Sequence, residues 1–206
     1  MTRPLLDRMA KRTLDIVGSA CGLLLLSPLL IAVGVWVRLD SAGPALFRQE
    51  RVGRGGRPFR IHKFRTMCVA DREGVRAITV GADMRITRAG AFLRRAKLDE
   101  LPQLVDVLVG DMSLVGPRPE VPRYVASYPD DVRAAVLSVR PGITDVASLT
   151  YRNESELLAR AADPEREYRE VVLPAKLRLS TLYLEQATLA SDLRLIGRTL
   201  KTIFIA

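Results

Sequence analysis

Apolar and polar positions divide the chain sharply near its start. From Ile16 to Val37 no residue is charged, and between Arg12 and Arg38 the only acid or base is Asp15. A helix over this run of about 22 residues is roughly 33 Å long, enough to cross a hydrocarbon core of about 30 Å. Its middle reads LLLLSPLLIAVGVWV (23–37), with Ser27 and Pro28 adjacent. A helix-interior proline deletes one backbone hydrogen bond and crowds the preceding turn, at about 3 kcal/mol. The bond lost is the one to the Leu24 carbonyl, and the Ser27 hydroxyl can satisfy a carbonyl at Leu23 or Leu24. Each half, about 10–15 residues, reaches mid-bilayer without crossing it. Two readings stay open: a re-entrant helix broken at Ser27-Pro28, and a kinked single-span anchor. The flanks favour the first. Arg3, Arg8, Lys11 and Arg12 precede the run, and Arg38, Arg48, Arg51, Arg54, Arg57, Arg60 and Lys63 follow it. Basic flanks mark the cytoplasmic side, so both ends read as cytoplasmic. A cleaved signal peptide fits poorly, because the run is too long and no small-residue cleavage site follows.

The rest of the chain alternates faster. RLDSAGP (38–44) reads as an exit turn. ALFRQERVGRGGRPFRIHKFRTM (45–67) places two mixed apolar and basic runs around Gly53, Gly55 and Gly56, a β-hairpin pattern. Residues 68–84 are polar and read as an excursion. In 85–112, Ile86, Ala89, Phe92, Leu93 and Ala96 form one helical stripe; Leu101, Leu104, Val105 and Leu108 form another, stopped by Gly110. SLVGPRPE (113–120) reads as loop, 121–138 as helix, RPGITD (140–145) as turn, and 153–170 and 174–190 as helices. The last stretch, SDLRLIGRTLKTIFIA, sets Leu193, Leu195, Ile196, Leu200, Ile203 and Phe204 against Arg194, Arg198 and Lys201, with a cap at Ser191 or Asp192. Such a basic amphipathic helix suits a membrane interface, and it equally suits packing on a core. The expected fold is therefore α+β and mostly helical: a re-entrant membrane helix-break-helix over 1–42, then a cytoplasmic-face domain over 43–206 with a small hairpin and interfacial helices.

Composition narrows the partners. The 206 residues carry a net charge of +9, which calls for a polyanion: nucleic acid, anionic lipid or a phosphorylated small molecule. The two cysteines, Cys21 and Cys68, lie in unlike surroundings, so a reducing compartment fits. With His62 the only histidine and no CxxC or HExxH pattern, a zinc site and a Ser-His-Asp triad both lack parts.

Candidate chemistry concentrates in AKLDELPQL (96–104). Pro102 is tolerated only in a first helical turn, so the helix reaching Val109 should begin near Asp99 or Glu100. Carboxylates there are held as anions by unpaired N–H groups. Asp99 is then a candidate nucleophile, and the pair a candidate ligand set for Mg²⁺, which takes one or two carboxylates plus substrate phosphates. The plain alternative is an N-capping Asp99 beside an exposed Glu100. Arg94, Arg95 and Lys97 stand just upstream and Arg118 in the GPRP turn, and guanidinium groups suit phosphate oxygens.

These residues also carry a family likeness. KRTLDIVGS (11–19), SPLLIAVGVWVRLDSAGPALFRQERVGRGGRPFRIHKFRTM (27–67), KLDELPQLVDVLVGDMSLVGPRPE (97–120) and RPGIT (140–144) resemble the bacterial sugar transferases of the monotopic phosphoglycosyl transferase superfamily. The resemblance implies a small, single-domain form on the cytoplasmic face of the bacterial inner membrane, held by the re-entrant helix. It implies transfer of a phosphosugar from a UDP-sugar to polyprenyl phosphate, with UMP released and Mg²⁺ required. Asp99 would attack the β-phosphate to give a covalent phosphosugar-enzyme, and Glu100 would help hold Mg²⁺. Arg65, Arg94, Arg95, Lys97, Arg118 and Arg152 are the phosphate-binding candidates. One segment departs from many relatives: after RPGIT the chain reads DVASLTYRNESELL (145–158), where Arg152, Asn153 and Glu154 are candidates for substrate contact. The amphipathic helices leave room for a homodimer, which nothing in their spacing requires.

Two other functions compete. A membrane-tethered protein could lay its basic hairpin on nucleic acid or anionic lipid, with Phe47, Phe59 and Phe64 to stack bases. No known nucleic-acid motif appears, and that reading leaves Asp99-Glu100 unexplained. A conventional glycosyl transferase would use the same donor and release UDP.

Overall fold

The computed structural model describes residues 4–68, 78, 80, 81 and 83–204, with side chains through residue 202. Arg3, most of the excursion expected over 68–84, and the side chains of Ile203 and Phe204 lie outside the described residues.

The apolar run belongs to one helix, α1 (Leu5–Asp40), long and apolar enough to cross a membrane. Helical backbone continues through Pro28, and the Ser27 hydroxyl donates to the Leu24 carbonyl at 2.8 Å. The serine thus supplies a partner to the carbonyl that proline deprives. One face turns inward: Asp15, Ser19, Val33 and Val37 are buried. The other keeps Leu24, Leu25, Ile31, Val35 and Leu39 exposed.

After α1 come β1 (Leu46–Val52) and β2 (Pro58–Phe64), antiparallel from Leu46↔Phe64 to Val52↔Pro58. The expected hairpin is present. A 3₁₀ turn at Arg54–Gly56 closes it, with Gly55 and Gly56 at φ 69° and 77°, where a side chain would be strained. Helix α2 (Arg88–Arg95) is capped by Thr87, whose side chain accepts from the Gly90 N–H at 2.9 Å. A 3₁₀ turn over Leu98–Glu100 then leads into α3 (Gln103–Val109). The helical segment does begin by Asp99, though as a 3₁₀ turn; α-helical bonding starts only after Pro102.

Two expected loops are strands. β3 (Ser113–Val115) pairs in parallel with β4 (Gly142–Thr144). Pattern reading missed them because three residues show no periodicity and the partner lies far along the chain. The helix expected over 121–138 is two, α4 (Pro122–Val125) and α5 (Asp130–Leu137), because Pro129 cannot continue a helix. Then follow α6 (Val146–Thr150), α7 (Glu154–Ala159), α8 (Pro164–Glu167), a π-helical turn at Tyr168–Val172, α9 (Leu173–Gln186) and α10 (Leu189–Phe204). The largest core joins Val52, Tyr124, Tyr128, Val136, Leu158, Tyr168 and Leu177. The cap of α10 is Thr188 rather than Ser191 or Asp192: the Ser191 N–H donates to Thr188 Oγ1 at 3.1 Å and the Thr188 N–H to Ser191 Oγ at 2.9 Å.

Polar bonds fasten α1 to this body at both ends. Arg12 donates to the carbonyls of Val107 and Leu108 at 2.8 and 2.9 Å, closing the end of α3. Asp15 accepts from Ser113 Oγ and the Leu114 N–H, each at 3.0 Å. Lys11 Nζ lies 3.2 Å from Asp15 and 3.5 Å from the fully buried Asp192 of α10. At the far end, Arg65 donates to the carbonyls of Val37 and Ser41 at 3.0 and 2.6 Å. Between them, a Cβ on Gly22 would stand 3.1 Å from Leu104, and Leu30 and Leu98 pack on one cluster with Val33, Val37, Phe64 and Leu93. Helix α1 therefore runs antiparallel to α3, and Ser27-Pro28 falls level with the Asp99 turn.

The β3–β4 pair is close enough to exclude side chains: a Cβ on Gly142 would stand 2.1 Å from Gly116 N. Gly142→Ala should cost about 1–3 kcal/mol by forcing backbone apart. At about 2–4 °C per kcal/mol for a chain of this size, thermal unfolding in detergent should show a clear drop in Tm. An unchanged Tm would mean the strands are not so closely seated.

Candidate active site

The site is built where α2 ends. Lys97 adopts a left-handed conformation, φ 56°, which breaks the helix and starts the Leu98–Glu100 turn in a new direction. Three elements bring cations to this turn: β2 carries Lys63, α2 carries Arg94, and the loop after β3 carries Arg118. Arg118 grips Glu100 as a two-pronged pair, Nη1 to Oε2 at 3.0 Å and Nη2 to Oε1. Lys63 Nζ donates to the same Oε1 at 2.9 Å. Arg94 Nε bonds Thr66 Oγ1 at 2.8 Å, which holds its guanidinium beside the turn.

The two carboxylates end up in opposite states. Burial alone would raise Glu100, but Arg118 and Lys63 hold it well below the usual carboxylate range. Asp99 is pushed up, first by burial and then by the Glu100 charge, against the pull of Lys63, Arg94 and Arg118. Among the described residues, Asp99 has no hydrogen bond or ion pair. The Lys63 ammonium is lowered by burial, and the Arg118 guanidinium is raised by Glu100. The arrangement offers one committed anion and one half-buried, uncommitted anion within a cationic ring. That suits attack on a phosphorus whose oxygens need neutralising.

The sequence candidates fare unevenly. Asp99, Glu100, Arg94 and Arg118 converge. Arg65 is 3% exposed and caps α1, while its Nε and Nη1 are buried with no partner. Arg95, Lys97 and Arg152 are exposed and make no hydrogen bond or ion pair among the described residues. Glu154 is engaged by Lys176 at 2.7 Å, and Asp145, raised by burial, accepts from Ser180 at 3.3 Å, so the departing segment is tied into α9. Asn153 is exposed at the start of α7. Sequence reading gave Lys63 only a flanking role; its place two residues before Arg65 in the basic hairpin was the available signal. It also missed the His62–Asp106 pair, 2.6 Å apart, which ties β2 to α3.

A model of the bacterial sugar transferase family matches residues 6–206. The chain belongs to this family. It is 36% identical over 195 residues to a UDP-N-acetylgalactosamine-undecaprenyl-phosphate N-acetylgalactosaminephosphotransferase of Aeromonas hydrophila, covering 94% of this chain and 43% of that one. It is 41% identical over 157 residues to the UDP-glucose:undecaprenyl-phosphate glucose-1-phosphate transferase of Escherichia coli K12, covering 75% and 34%. A protein of the same description from Caulobacter vibrioides is 48% identical over 146 residues, covering 68% and 54%. The chain thus spans about half, or less, of the length of these relatives.

Among the described residues, no cluster of three or more Asp, Glu, His or Cys could by itself hold a metal ion. The donor set fits a Mg²⁺ that arrives with a diphosphate, since such an ion needs only one or two protein carboxylates. Asp99 has free oxygens, and Glu100 would exchange a cation partner.

The opposite states of the two carboxylates give opposite effects on stability. A depressed carboxylate contributes stability above its unfolded value, about 4.3, and loses it as pH falls through the folded value; a raised one costs stability as pH climbs past about 4. Glu100→Gln should therefore destabilise the protein at pH 7 by roughly 3–5 kcal/mol through broken buried pairing and lower its Tm, whereas Asp99→Asn should raise the Tm. Both differences should shrink toward pH 3 in a calorimetric series. Shifts of one sign for both variants would contradict these assignments.

Proposed function

We propose that this protein is a phosphoglycosyl transferase that moves a sugar 1-phosphate from a UDP-sugar to a polyprenyl phosphate, undecaprenyl phosphate being the acceptor in the relatives' names. The observation that carries it is the unpaired Asp99 carboxylate beside a fully paired Glu100, inside a ring of Lys63, Arg94 and Arg118. Asp99 attacks the β-phosphorus of the donor; the bond to the UMP oxygen breaks and UMP leaves. The lipid phosphate then attacks the same phosphorus and returns Asp99 as carboxylate. Splitting the transfer in this way turns one difficult displacement into two. Arg94, Lys63 and Arg118 supply positive charge to the phosphate oxygens. Arg65, with two buried N–H groups unpartnered, is a further anion contact at the end of α1. When bound, Mg²⁺ supplies charge neutralisation on the diphosphate, with Glu100 and Asp99 as its protein ligands.

The membrane reading belongs to the same proposal. Residues 1–42 dip into the cytoplasmic leaflet of the bacterial inner membrane and 43–206 stay on its cytoplasmic face, against anionic headgroups. What supports it is that α1 is hydrogen-bonded near both ends to one folded body, through Arg12 and Arg65. A helix crossing the bilayer would have those ends on opposite sides. With Ser27-Pro28 level with the Asp99 turn, a turn of α1 there on entering the leaflet would let a soluble nucleotide meet a lipid phosphate at headgroup depth.

Purified protein with Mg²⁺, undecaprenyl phosphate and a panel of UDP-sugars should release UMP, and Asp99→Asn should reduce it by at least about 10³-fold, as for loss of a nucleophile. UDP as product would assign conventional glycosyl transfer. Pro28→Ala should straighten α1 and shift some molecules to a spanning form, seen by labelling cysteines at each terminus from each side of the membrane. Both termini remaining cytoplasmic in the variant would mean Pro28 does not cause the turn.

A further inference from the structure

Helix α2 has two unlike faces. Ala89, Gly90 and Leu93 are buried, whereas Arg88, Ala91, Phe92 and Arg95 are exposed. The exposed four stand at i, i+3, i+4 and i+7, so they form one stripe of the helix. Read along α2, the stripe is a cation, two apolar residues and a second cation, over about 10 Å. Neither arginine makes a hydrogen bond or ion pair among the described residues.

The buried face fixes where this stripe lies. The Ala89 N–H donates to Asp40 Oδ2 at 3.1 Å, so α2 starts on the last residue of α1. A Cβ on Gly90 would stand 2.1 Å from the Thr66 carbonyl oxygen, and Leu93 packs with Val33 and Val37 of α1. Helix α2 is thus clamped where the apolar run of α1 gives way to Arg38 and Asp40. The exposed sides of the two helices also join. The rings of Trp36 and Phe92 meet with centroids 5.5 Å apart and planes tilted by 56°. Trp36 belongs to the exposed side of α1 that carries Ile31, Val35 and Leu39.

We infer, resting on the membrane reading proposed above, that this stripe of α2 is a second lipid contact: Phe92 enters the headgroup boundary beside Trp36, and Arg88 and Arg95 bind the phosphates of anionic phospholipids. A lone exposed phenylalanine needs no explanation. This one continues the apolar side of α1 at the point where that helix leaves the hydrocarbon, and it lies between two unpaired cations. A sheet of phosphates over an apolar layer matches that order of charge and ring: aromatic side chains settle at headgroup level, and basic residues beside them meet anionic lipid. Helix α2 leads through Lys97 into the Leu98–Glu100 turn, so seating α2 on the headgroups also sets the height of Asp99 above the bilayer. Arg95, expected from the sequence as a phosphate ligand, then meets the phosphate of a lipid rather than that of the sugar donor.

Trp36 is the chain's only tryptophan, so its fluorescence reports one place. Full-length wild type and the double variant Trp36→Phe, Phe92→Trp, which moves the tryptophan to α2, are reconstituted into vesicles of phosphatidylethanolamine and phosphatidylglycerol. Lipids brominated near the glycerol quench from the membrane, and iodide quenches from water. An interfacial helix sinks its apolar face by about 5–10 Å, so brominated phosphatidylglycerol should quench the α2 tryptophan at least about twofold, and iodide hardly at all. At equal mole fraction it should quench more than brominated phosphatidylcholine, and adding Arg88→Glu and Arg95→Glu should reduce that preference. Trp36→Phe with Ala91→Trp, on the same stripe, serves if the first variant fails to fold. Free quenching by iodide with none by bromolipid would overturn the inference. Shielding from both quenchers would overturn it too and assign the stripe to a protein partner, such as a second copy of this chain. Equal quenching by the two bromolipids, or a preference untouched by the charge reversals, would overturn the assignment of anionic headgroups. Failure of the membrane reading looks different: the wild-type Trp36 would itself escape bromolipid, or the two termini would label from opposite sides of the membrane.

Discussion

The grip of Arg118 and Lys63 on Glu100 is the interaction on which this architecture converges. Its members come from the hairpin, from the turn before α3, and from the loop after β3. No two lie within fifteen residues of one another. Each loses hydration on entering the site, and a pair so buried is tolerated only when the geometry is good and every charge is answered. Arg118 reaches it because β3 lies on β4 at a glycine-to-glycine approach. Lys63 reaches it because the hairpin register and the His62–Asp106 bond fix β2 on α3. The small β-pairs are brief, but they set the positions of the cations.

A second polar cluster governs how α1 sits. Lys11, Asp15 and Asp192, with Tyr183 donating to Asp192 at 2.6 Å, join α1, α9 and α10, and Asp15 reaches β3 as well. Charges so committed do not belong in hydrocarbon; the stretch without any charge runs from Ile16 to Val37. Within it the exposed face carries Leu24, Leu25, Ile31 and Val35, while the opposite face remains on the body through Leu30, Val33 and Val37. The helix is therefore two-faced along its whole length, unlike a free anchor.

Much of this was legible in the sequence, for physical reasons that differ by element. The apolar run and the hairpin announce themselves by long patterns and by glycines, and AKLDELPQL stood out because two acids and a proline share nine residues with Lys97, just after Arg94 and Arg95. β3 and β4 were illegible: three residues each, buried, and paired across some thirty residues. The single helix read over 121–138 failed at Pro129, a breaker that periodicity overrode. At α10, Ser191 or Asp192 was expected as the cap, and Asp192 is instead fully buried against Lys11, because tertiary pairing overrode a local role. Within the site, acids near bases were visible, but which base would reach which acid depended on the fold: Arg95 and Lys97 turn outward, while Lys63 arrives from a strand.

The contrast between Asp99 and Glu100 follows from the turn they share. In a 3₁₀ turn successive side chains diverge by about 120°, against about 100° in an α-helix, so neighbours are thrown apart. Left-handed Lys97 sets the direction of that turn after α2. Glu100 is thereby carried toward Arg118 and Lys63 and spends its charge on them. Asp99 is half-buried and receives their field without their hydrogen bonds, so its charge is poorly satisfied. Two adjacent acids can hold one paired and one unpaired carboxylate only if the backbone points them apart, and this turn does so within three residues.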